Sequence, residues 1–331
     1  MDFQDESDAV MTMKGLWLEN QQLTYRTDLP IPEPGPGEAL IKTRLAGVCA
    51  TDLEMRRGYY PFKGVPGHEF VGEVAAAPGN EGWVGQRVVG EINLVCGACA
   101  ACQAGRGHHC ESRSVLGILG KDGVLAEFFT LPMANLHAVP EAVSDEAVVF
   151  TEPLAAALEI QQQVHIQPGM KVLVVGAGRL GLLIAQTLHL TGCDLAVVVR
   201  HEAQAELLAG WGIPSVAEKF IPAGSADLVV EATGSPAGFA LSREAVRPAG
   251  TLVLKSTFTG DVSLNLSALV VDEITLVGSR CGPFEPALRL LAAGLVDTNA
   301  LVHGRYPLAE GLTAFEKAAE RGVLKVLVGA G

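Results

Sequence analysis

KVLVVGAGRLG, residues 171–181, shows which fold this chain adopts. Its first five residues, KVLVV, have the apolar, β-branched composition of a buried strand. The apolar residues that follow the glycine-rich turn recur at helical spacing up to residue 188. The stretch therefore predicts a strand, a tight turn and a helix in direct succession.

The turn itself contains the Gly-x-Gly-x-x-Gly pattern of dinucleotide-binding folds. Gly176 makes the tight turn, Gly178 lets the backbone approach a pyrophosphate, and Gly181 allows the helix to pack closely on the strand. Arg179 and Leu180 open the helix, whose N-terminus faces an anion. The alternative is a tight turn without a ligand, but the strand–turn–helix context favours a nucleotide site.

Strands and helices alternate on the C-terminal side of this unit. Strand-like runs follow at 195–199, 228–232, 251–255 and 274–277, with helical segments between most of them. Such alternation predicts an α/β domain with a doubly wound parallel sheet. On the N-terminal side, up to about residue 150, the apolar runs are short and separated by Gly and Pro, which predicts a mostly antiparallel β domain.

These patterns divide the chain into three segments. Residues 1–152 form the β-rich domain, residues 153–282 the nucleotide-binding domain, and residues 283–331 a third segment with helix-like sequence. Residues 1–12 are expected to form a loose acidic tail.

Composition limits the possible partners. The chain has 331 residues, of which 49% are hydrophobic, and a formal net charge of −13. An acidic chain without basic runs is a poor partner for nucleic acid or for an anionic membrane. No apolar run approaches the ~18 residues of a membrane-spanning helix. The first twelve residues, MDFQDESDAVMT, lack the basic residues of a leader, so we expect a cytoplasmic protein.

Four of the seven cysteines lie close together, at Cys96, Cys99, Cys102 and Cys110. In a reducing compartment such clustering indicates a metal site rather than disulfides. Four thiolates at short spacing match a closed tetrahedral structural zinc site. An iron–sulfur cluster is the alternative.

A second set of metal-ligand residues is more widely spaced. Catalytic zinc takes three protein ligands and leaves one position open. Cys49, His68 and a carboxylate from Glu69 or Glu152 meet that requirement, and Thr51 would stand beside the open position. Each residue also has an ordinary structural explanation, and the spacing alone does not exclude it.

Arg200 and His201 occupy the end of the second strand of the nucleotide domain. NAD-binding proteins place an acid there to bind the ribose hydroxyls, whereas an arginine pairs with the 2′-phosphate of NADP. The sequence therefore favours NADP(H) over NAD(H). An arginine that merely points into solvent is the alternative.

Taken together, these motifs resemble the zinc-dependent medium-chain dehydrogenase/reductase superfamily, in its alcohol, polyol and sugar dehydrogenase branch. The resemblance extends from about Met13 to the C-terminus. It implies a GroES-like catalytic domain to which residues 283–331 return, a Rossmann cofactor domain and an active site in the cleft between them. The matching stretches are GVCATD (47–52), PGHEFVGEV (66–74), GQRVV (85–89), CGACAACQAGRGHHC (96–110), TEPLAAAL (151–158), VLVVGAGRLG (172–181) and EATGS (231–235).

The resemblance also assigns metal ligands. Cys49 and His68 correspond to catalytic zinc ligands, and Asp52 to the acceptor that fixes the tautomer of His68. Glu152 stands where polyol dehydrogenases place a glutamate at the metal. Glu69 is the alternative carboxylate.

Other roles follow from the same resemblance. Thr51 corresponds to the hydroxyl that passes the alcohol proton to the cofactor ribose, and Lys325 to a base that pairs with Glu69. Glu54 replaces the histidine that relays this proton in alcohol dehydrogenases. Thr233, in the EATGS stretch, is expected at the cofactor.

The sequence thus predicts a zinc-dependent oxidoreductase with two zinc ions per chain. It transfers a hydride between NADP(H), or NAD(H), and an alcohol, polyol or carbonyl substrate, whose oxygen zinc polarises. A zinc-independent quinone or enoyl reductase and a non-catalytic nucleotide-binding redox sensor are the alternatives. The resemblance also implies a homodimer or homotetramer, which we expect to form through the sheet edge at 274–277.

Overall fold

The computed structural model describes residues 11–59, 61–257 and 261–330. The chain divides into two compact units, residues 1–149 with 302–331 and residues 150–301. Most of the expected acidic tail, residues 1–10, lies outside the described residues, and a strand already begins at Thr12.

The first unit consists mainly of β-strands. Its strands are β1 (Thr12–Glu19), β2 (Gln22–Pro30), β3 (Glu38–Val48), β4 (Glu69–Ala76), β5 (Arg87–Gly90), β6 (Asn93–Leu94), β7 (Ser114–Leu116), β8 (Gly120–Lys121), β9 (Phe128–Pro132), β10 (Leu136–Ala138), β17 (Val302–Pro307) and β18 (Lys325–Gly329). Its helices are α1 (Ala50–Arg56), α2 (Ala100–Gln103), α3 (Asp145–Val148) and α10 (Gly311–Ala319).

Strand β3 is the centre of the main sheet of this unit. The described strands run in the order β10-β5-β4-β3-β18-β17, and β9 also pairs with β3. Apart from the parallel pair β17–β18, these pairings are antiparallel, as predicted. Buried and more exposed residues alternate along the first part of β3, and Ala39, Ile41 and Leu45 are among the buried ones.

The second unit alternates strands with helices. Its strands are β11 (Lys171–Val175), β12 (Asp194–Val199), β13 (Ser215–Ala217), β14 (Ala226–Glu231), β15 (Val246–Leu254) and β16 (Thr275–Gly278). Its helices are α4 (Thr151–Gln163), α5 (Arg179–His189), α6 (Glu202–Gly210), α7 (Pro236–Ala245), α8 (Leu266–Val271) and α9 (Phe284–Ala292).

The six described strands of the second unit form one sheet in the order β13-β12-β11-β14-β15-β16. All of their pairings are parallel. This order reverses direction at β11 and β14, as in doubly wound dinucleotide-binding sheets, and confirms the predicted fold class. Ligands of such sheets bind outside the carboxyl ends of the strands at this reversal.

The unit boundaries differ from those expected from the sequence. The chain returns to the first unit at Val302 rather than at residue 283. Helix α9 buries Phe284, Ala287 and Leu288 and packs against α4, which keeps this segment in the second unit. Among the described residues, no helix is both long and apolar enough to cross a membrane.

Candidate functional site

Three residues of different ligand type meet at the start of β4 in the first unit. Cys49 lies at the N-cap of α1, His68 just before β4, and Glu69 begins that strand. Their ligand atoms all lie within 4.8 Å of one another. His68 and Glu69 are buried, with 3% and 1% of their surface exposed. A thiol, an imidazole and a carboxylate at this separation form a donor set suited to zinc.

Asp52 connects Cys49 to His68. Its Oδ2 accepts a hydrogen bond from the backbone N–H of Cys49 at 2.8 Å, and its Oδ1 lies 3.4 Å from His68 Nδ1. Burial disfavours the imidazolium, but Asp52 and Cys49 outweigh it and hold the pKa of His68 well above its ordinary value. Since Nδ1 faces Asp52, the other ring nitrogen is the one available to a metal.

Glu69 pairs with Lys325, which begins β18. Strand β3 lies between β4 and β18, and Gly47 of β3 pairs with Glu69. The Lys325 ammonium donates to Glu69 Oε2. A Cβ added at Gly47 would overlap Glu69 Oε2, so the absence of a side chain at Gly47 leaves room for this carboxylate.

The cluster retains unused hydrogen-bonding capacity. Among the described residues, Asp52 Oδ1, His68 Nδ1 and Glu69 Oε1 are buried without a hydrogen-bond partner. Buried polar atoms are normally paired. Asp52 Oδ1 and His68 Nδ1 face each other, whereas Glu69 Oε1 has no such group opposite it and lies beside the thiol and the imidazole, which fits a site for a cation.

Thr51 and Glu54 both lie on α1 but in different surroundings. Thr51 Oγ1 lies 3.8 Å from Cys49 Sγ, beside the metal-ligand cluster. The Glu54 carboxylate instead pairs with Arg57 at 2.6 Å on an exposed part of the helix. Glu54 therefore faces Arg57 and solvent.

Glu152 lies in the first turn of α4, in the second unit. Glu152 acts electrostatically on Lys255, which directly follows β15 and whose Nζ donates to Ser279 Oγ at 2.9 Å and to the Arg280 carbonyl at 2.6 Å. Burial lowers the pKa of Lys255 to about 8, although Glu159, Cys281 and Glu152 oppose the shift. Sequence reasoning missed Lys255, because only the tertiary fold brings it to the acids of α4.

The four clustered cysteines converge as their spacing predicts. The sulfur atoms of Cys99 and Cys102 lie 3.5 Å apart, as do those of Cys96 and Cys110. Sulfurs bound to one zinc at about 2.3 Å in a tetrahedron are about 3.8 Å apart. Backbone N–H groups of Glu111 and Cys102 point at Cys99 Sγ and lower the pKa of its thiol to about 6. The lobe therefore fits a zinc ion.

The glycine-rich turn is built to bring backbone close to a ligand. Gly176 has φ of +112°, and a Cβ there would lie 2.8 Å from the Ala232 carbonyl oxygen. A Cβ on Gly181 would overlap the Gly176 carbonyl, whereas one on Gly178 would meet open space. Gly178 is the N-cap of α5, which Arg179 and Leu180 continue. This open space in front of a helix N-terminus fits a pyrophosphate.

A groove adjoins this turn. It is lined by Val175, Gly176, Ala177, Gly178, Val198, Arg200, His201, Gln204, Glu218, Ala232, Thr233 and Leu241. Gln204 donates to the Ala177 carbonyl at 2.8 Å and accepts from the Arg200 backbone at 3.3 Å. Thr233 Oγ1 donates to the buried Glu231. The groove thus gathers all the residues expected at the cofactor except Arg179, Leu180 and Gly181, which continue into α5.

Sequence reasoning missed two polar residues of the groove, Gln204 and Glu218. Arg200 lies beside Glu218, with 3.6 Å between Nη2 and Oε2. The signal for Glu218 lies in strand pairing rather than in any local motif, because Val199 pairs with Ala217.

Comparisons with known proteins agree with this geometry. Residues 35–141 match the alcohol dehydrogenase GroES-like domain, and residues 180–293 match the zinc-binding dehydrogenase family. L-galactonate-5-dehydrogenase of Escherichia coli K12 is 31% identical over 87% of this chain and 89% of its own length. L-threonine 3-dehydrogenase of Pyrococcus abyssi is 30% identical over 88% of this chain and 90% of its own length.

Solved structures give the same result. A zinc-binding dehydrogenase from Sinorhizobium meliloti 1021, bound to NADP, superposes with a TM-score of 0.89 at 28% identity, covering 96% of this chain and 99% of that one. An alcohol dehydrogenase from Escherichia coli CFT073, complexed with NADH, superposes with a TM-score of 0.88 at 26% identity, with the same coverage.

The chain therefore belongs to the zinc-dependent medium-chain dehydrogenase/reductase superfamily. Its two units carry the GroES-like and Rossmann folds of that superfamily, and the protein is an NAD(P)-dependent oxidoreductase of the alcohol and polyol dehydrogenase type.

Proposed function

We propose that the first unit binds a catalytic zinc ion through Cys49, His68 and a carboxylate, and that the enzyme interconverts an alcohol or polyol and its carbonyl with NADP(H). One observation carries this proposal: a thiol, an imidazole and a carboxylate converge where the buried Glu69 Oε1 lacks a hydrogen-bond partner. Relatives named for L-galactonate and sorbitol support the substrate class.

When bound, zinc polarises the substrate oxygen, and the nicotinamide ring accepts or returns the hydride. Asp52 orients His68 through Nδ1, and Lys325 holds Glu69 in place. Thr51 Oγ1, close to Cys49, takes up the proton of the substrate hydroxyl and passes it onward. Glu69 and Glu152 remain alternative carboxylate ligands. Glu54 is exposed, so it can receive this proton only if solvent molecules connect it to Thr51.

Further proposals concern the cofactors and the assembly. The four-cysteine lobe binds a second, structural zinc, and Arg200 selects NADP(H) by pairing with its 2′-phosphate. The second unit lacks a strand beyond β16 among its described residues, and Leu276 of β16 and Val270 of the preceding helix α8 are exposed. This supports a homodimer or homotetramer formed through residues 274–277. We place the enzyme in the cytoplasm.

Metal content and turnover together test the proposal. The parent should contain two zinc ions per chain and oxidise members of a panel of alcohols and polyols. Cys49→Ser should lose one zinc and its activity while remaining folded, whereas Cys193→Ser, outside both clusters, should lose neither. Full activity in Cys49→Ser would refute the catalytic zinc. One zinc per chain without turnover on any alcohol or aldehyde would favour a sensor.

A further inference from the structure

The cofactor groove contains an acid that opposes its arginine. Glu218 and Arg200 both line the groove, and Arg200 Nη2 lies 3.6 Å from Glu218 Oε2. Each side chain is about half exposed, at 54% for Arg200 and 50% for Glu218. Both groups are therefore open to a ligand that enters the groove.

Strand register brings this acid to its position. Strands β12 and β13 are parallel neighbours, and Val199 pairs with Ala217. Arg200 and Glu218 directly follow these two strands, so the register of the strands brings the two residues side by side. Dinucleotide-binding sheets place an acid for the ribose hydroxyls at the end of the second strand. Here an arginine occupies that point, and the acid is the residue that follows the neighbouring strand β13.

We infer that Glu218 is a specificity-determining residue, which holds Arg200 in an ion pair and so reduces the preference of the groove for a 2′-phosphate over a 2′-hydroxyl. This inference rests on the proposed pairing of Arg200 with the phosphate of NADP(H). It adds that the groove accepts both cofactors, and that Glu218 sets the ratio of their binding affinities.

Electrostatics gives the direction of the effect. A 2′-phosphate with nearly two negative charges must displace Glu218 from Arg200 and then lie beside its carboxylate. At about 4 Å in water, each unit of like charge weakens binding about five-fold. A ribose 2′-hydroxyl is neutral and can donate a hydrogen bond to Glu218. The carboxylate therefore opposes NADP(H) and assists NAD(H).

Binding measurements on the full-length, zinc-loaded protein test this without turnover. We would titrate NADPH and NADH by fluorescence, and adenosine 2′,5′-bisphosphate and AMP by calorimetry. Glu218→Gln should bind NADPH and the bisphosphate about 5–30-fold more tightly than the parent, while NADH and AMP bind equally well or more weakly. This gain should shrink at high salt.

Glu202→Gln is the matched control, because it removes the same charge two residues from Arg200 but outside the groove lining. It should change the ratio of the NADPH and NADH affinities less than two-fold. The inference is wrong if Glu218→Gln changes that ratio no more than Glu202→Gln does.

A third variant tests the pairing of Arg200 with the 2′-phosphate separately from the role of Glu218. Arg200→Gln should weaken NADPH and leave NADH nearly unchanged. If Arg200→Gln does not weaken NADPH, the assignment of Arg200 to the phosphate fails. If it does weaken NADPH while Glu218→Gln leaves the ratio unchanged, only the role of Glu218 fails.

Discussion

The Lys325 ammonium donates to the Glu69 carboxylate, and the two side chains are only 3% and 1% exposed. Their residues lie on β18 and β4, on either side of β3, and Gly47 between them has no side chain to keep them apart. Removing one partner of a buried ion pair leaves an uncompensated charge, which costs far more than the loss of an exposed pair.

Lys325→Met should therefore lower the free energy of unfolding by about 3–5 kcal/mol, measured by urea denaturation of the zinc-loaded protein. Lys317→Met removes another Lys–Glu pair, Lys317–Glu320 at 2.7 Å, from the surface and should cost far less than Lys325→Met. Adding Glu69→Gln to Lys325→Met should restore part of the loss. If Lys325→Met is as stable as the parent, the Lys325–Glu69 pair contributes nothing to the free energy of unfolding.

Cys99→Ser should remove the structural zinc and destabilise the protein, because a structural zinc contributes folding energy directly. We expect one zinc fewer per chain by elemental analysis and a lower melting temperature. Cys193→Ser, which replaces a thiol on the second unit, should keep the full metal content. Unchanged zinc in Cys99→Ser would contradict the four-cysteine site.

Thr51→Ala should lower kcat/KM for alcohol oxidation by roughly 10²–10⁴-fold, the usual contribution of a positioned proton-transfer group. Thr51→Ser retains the hydroxyl 3.8 Å from Cys49 and should be only mildly impaired. Both variants should keep the parent's zinc content and cofactor affinity. Equal rates for Thr51→Ala and the parent would mean that the proton leaves by another route.

Local patterns predicted most of the second unit. The strand, glycine turn and helix of residues 171–189 depend on neighbouring residues, so hydrophobic periodicity and glycine spacing were sufficient. The convergence of the four cysteines is also local, because short spacing brings them together wherever the lobe lies. The parallel sheet followed from the alternation of elements.

Features that depend on tertiary contacts were harder to predict from the sequence. The return to the first unit was expected at residue 283, because the sequence of α9 does not reveal that the helix packs on α4. Arg200 was identified but Glu218 was not, since strand register alone makes them neighbours. The pairing of Lys325 with Glu69 was expected only through the family resemblance, since these residues are far apart in sequence.

Lys255 provides a test of electrostatics inside the second unit. It is 7% exposed at the end of β15 and donates to Ser279 and to the Arg280 carbonyl. Burial penalises its charged form and lowers its pKa to about 8, while Glu159 and Glu152 partly offset the penalty. The unfolded chain exposes the same lysine to water, where its pKa is about 10.4.

Lys255→Met should therefore change how stability depends on pH. Between about pH 8 and pH 10.4 the unfolded chain binds the proton that folded Lys255 has lost, so raising the pH favours the folded state. Below pH 8 both states are charged and the full penalty remains. The parent should gain up to about 3 kcal/mol across this window relative to the variant, since one pKa unit corresponds to about 1.4 kcal/mol. Urea denaturation of both proteins at pH 7, 8, 9 and 10 measures this difference. Other groups that titrate at alkaline pH are the same in both proteins, so their contributions cancel in the comparison. Parallel curves for the parent and Lys255→Met would show that the lysine titrates normally and that its burial carries no electrostatic penalty.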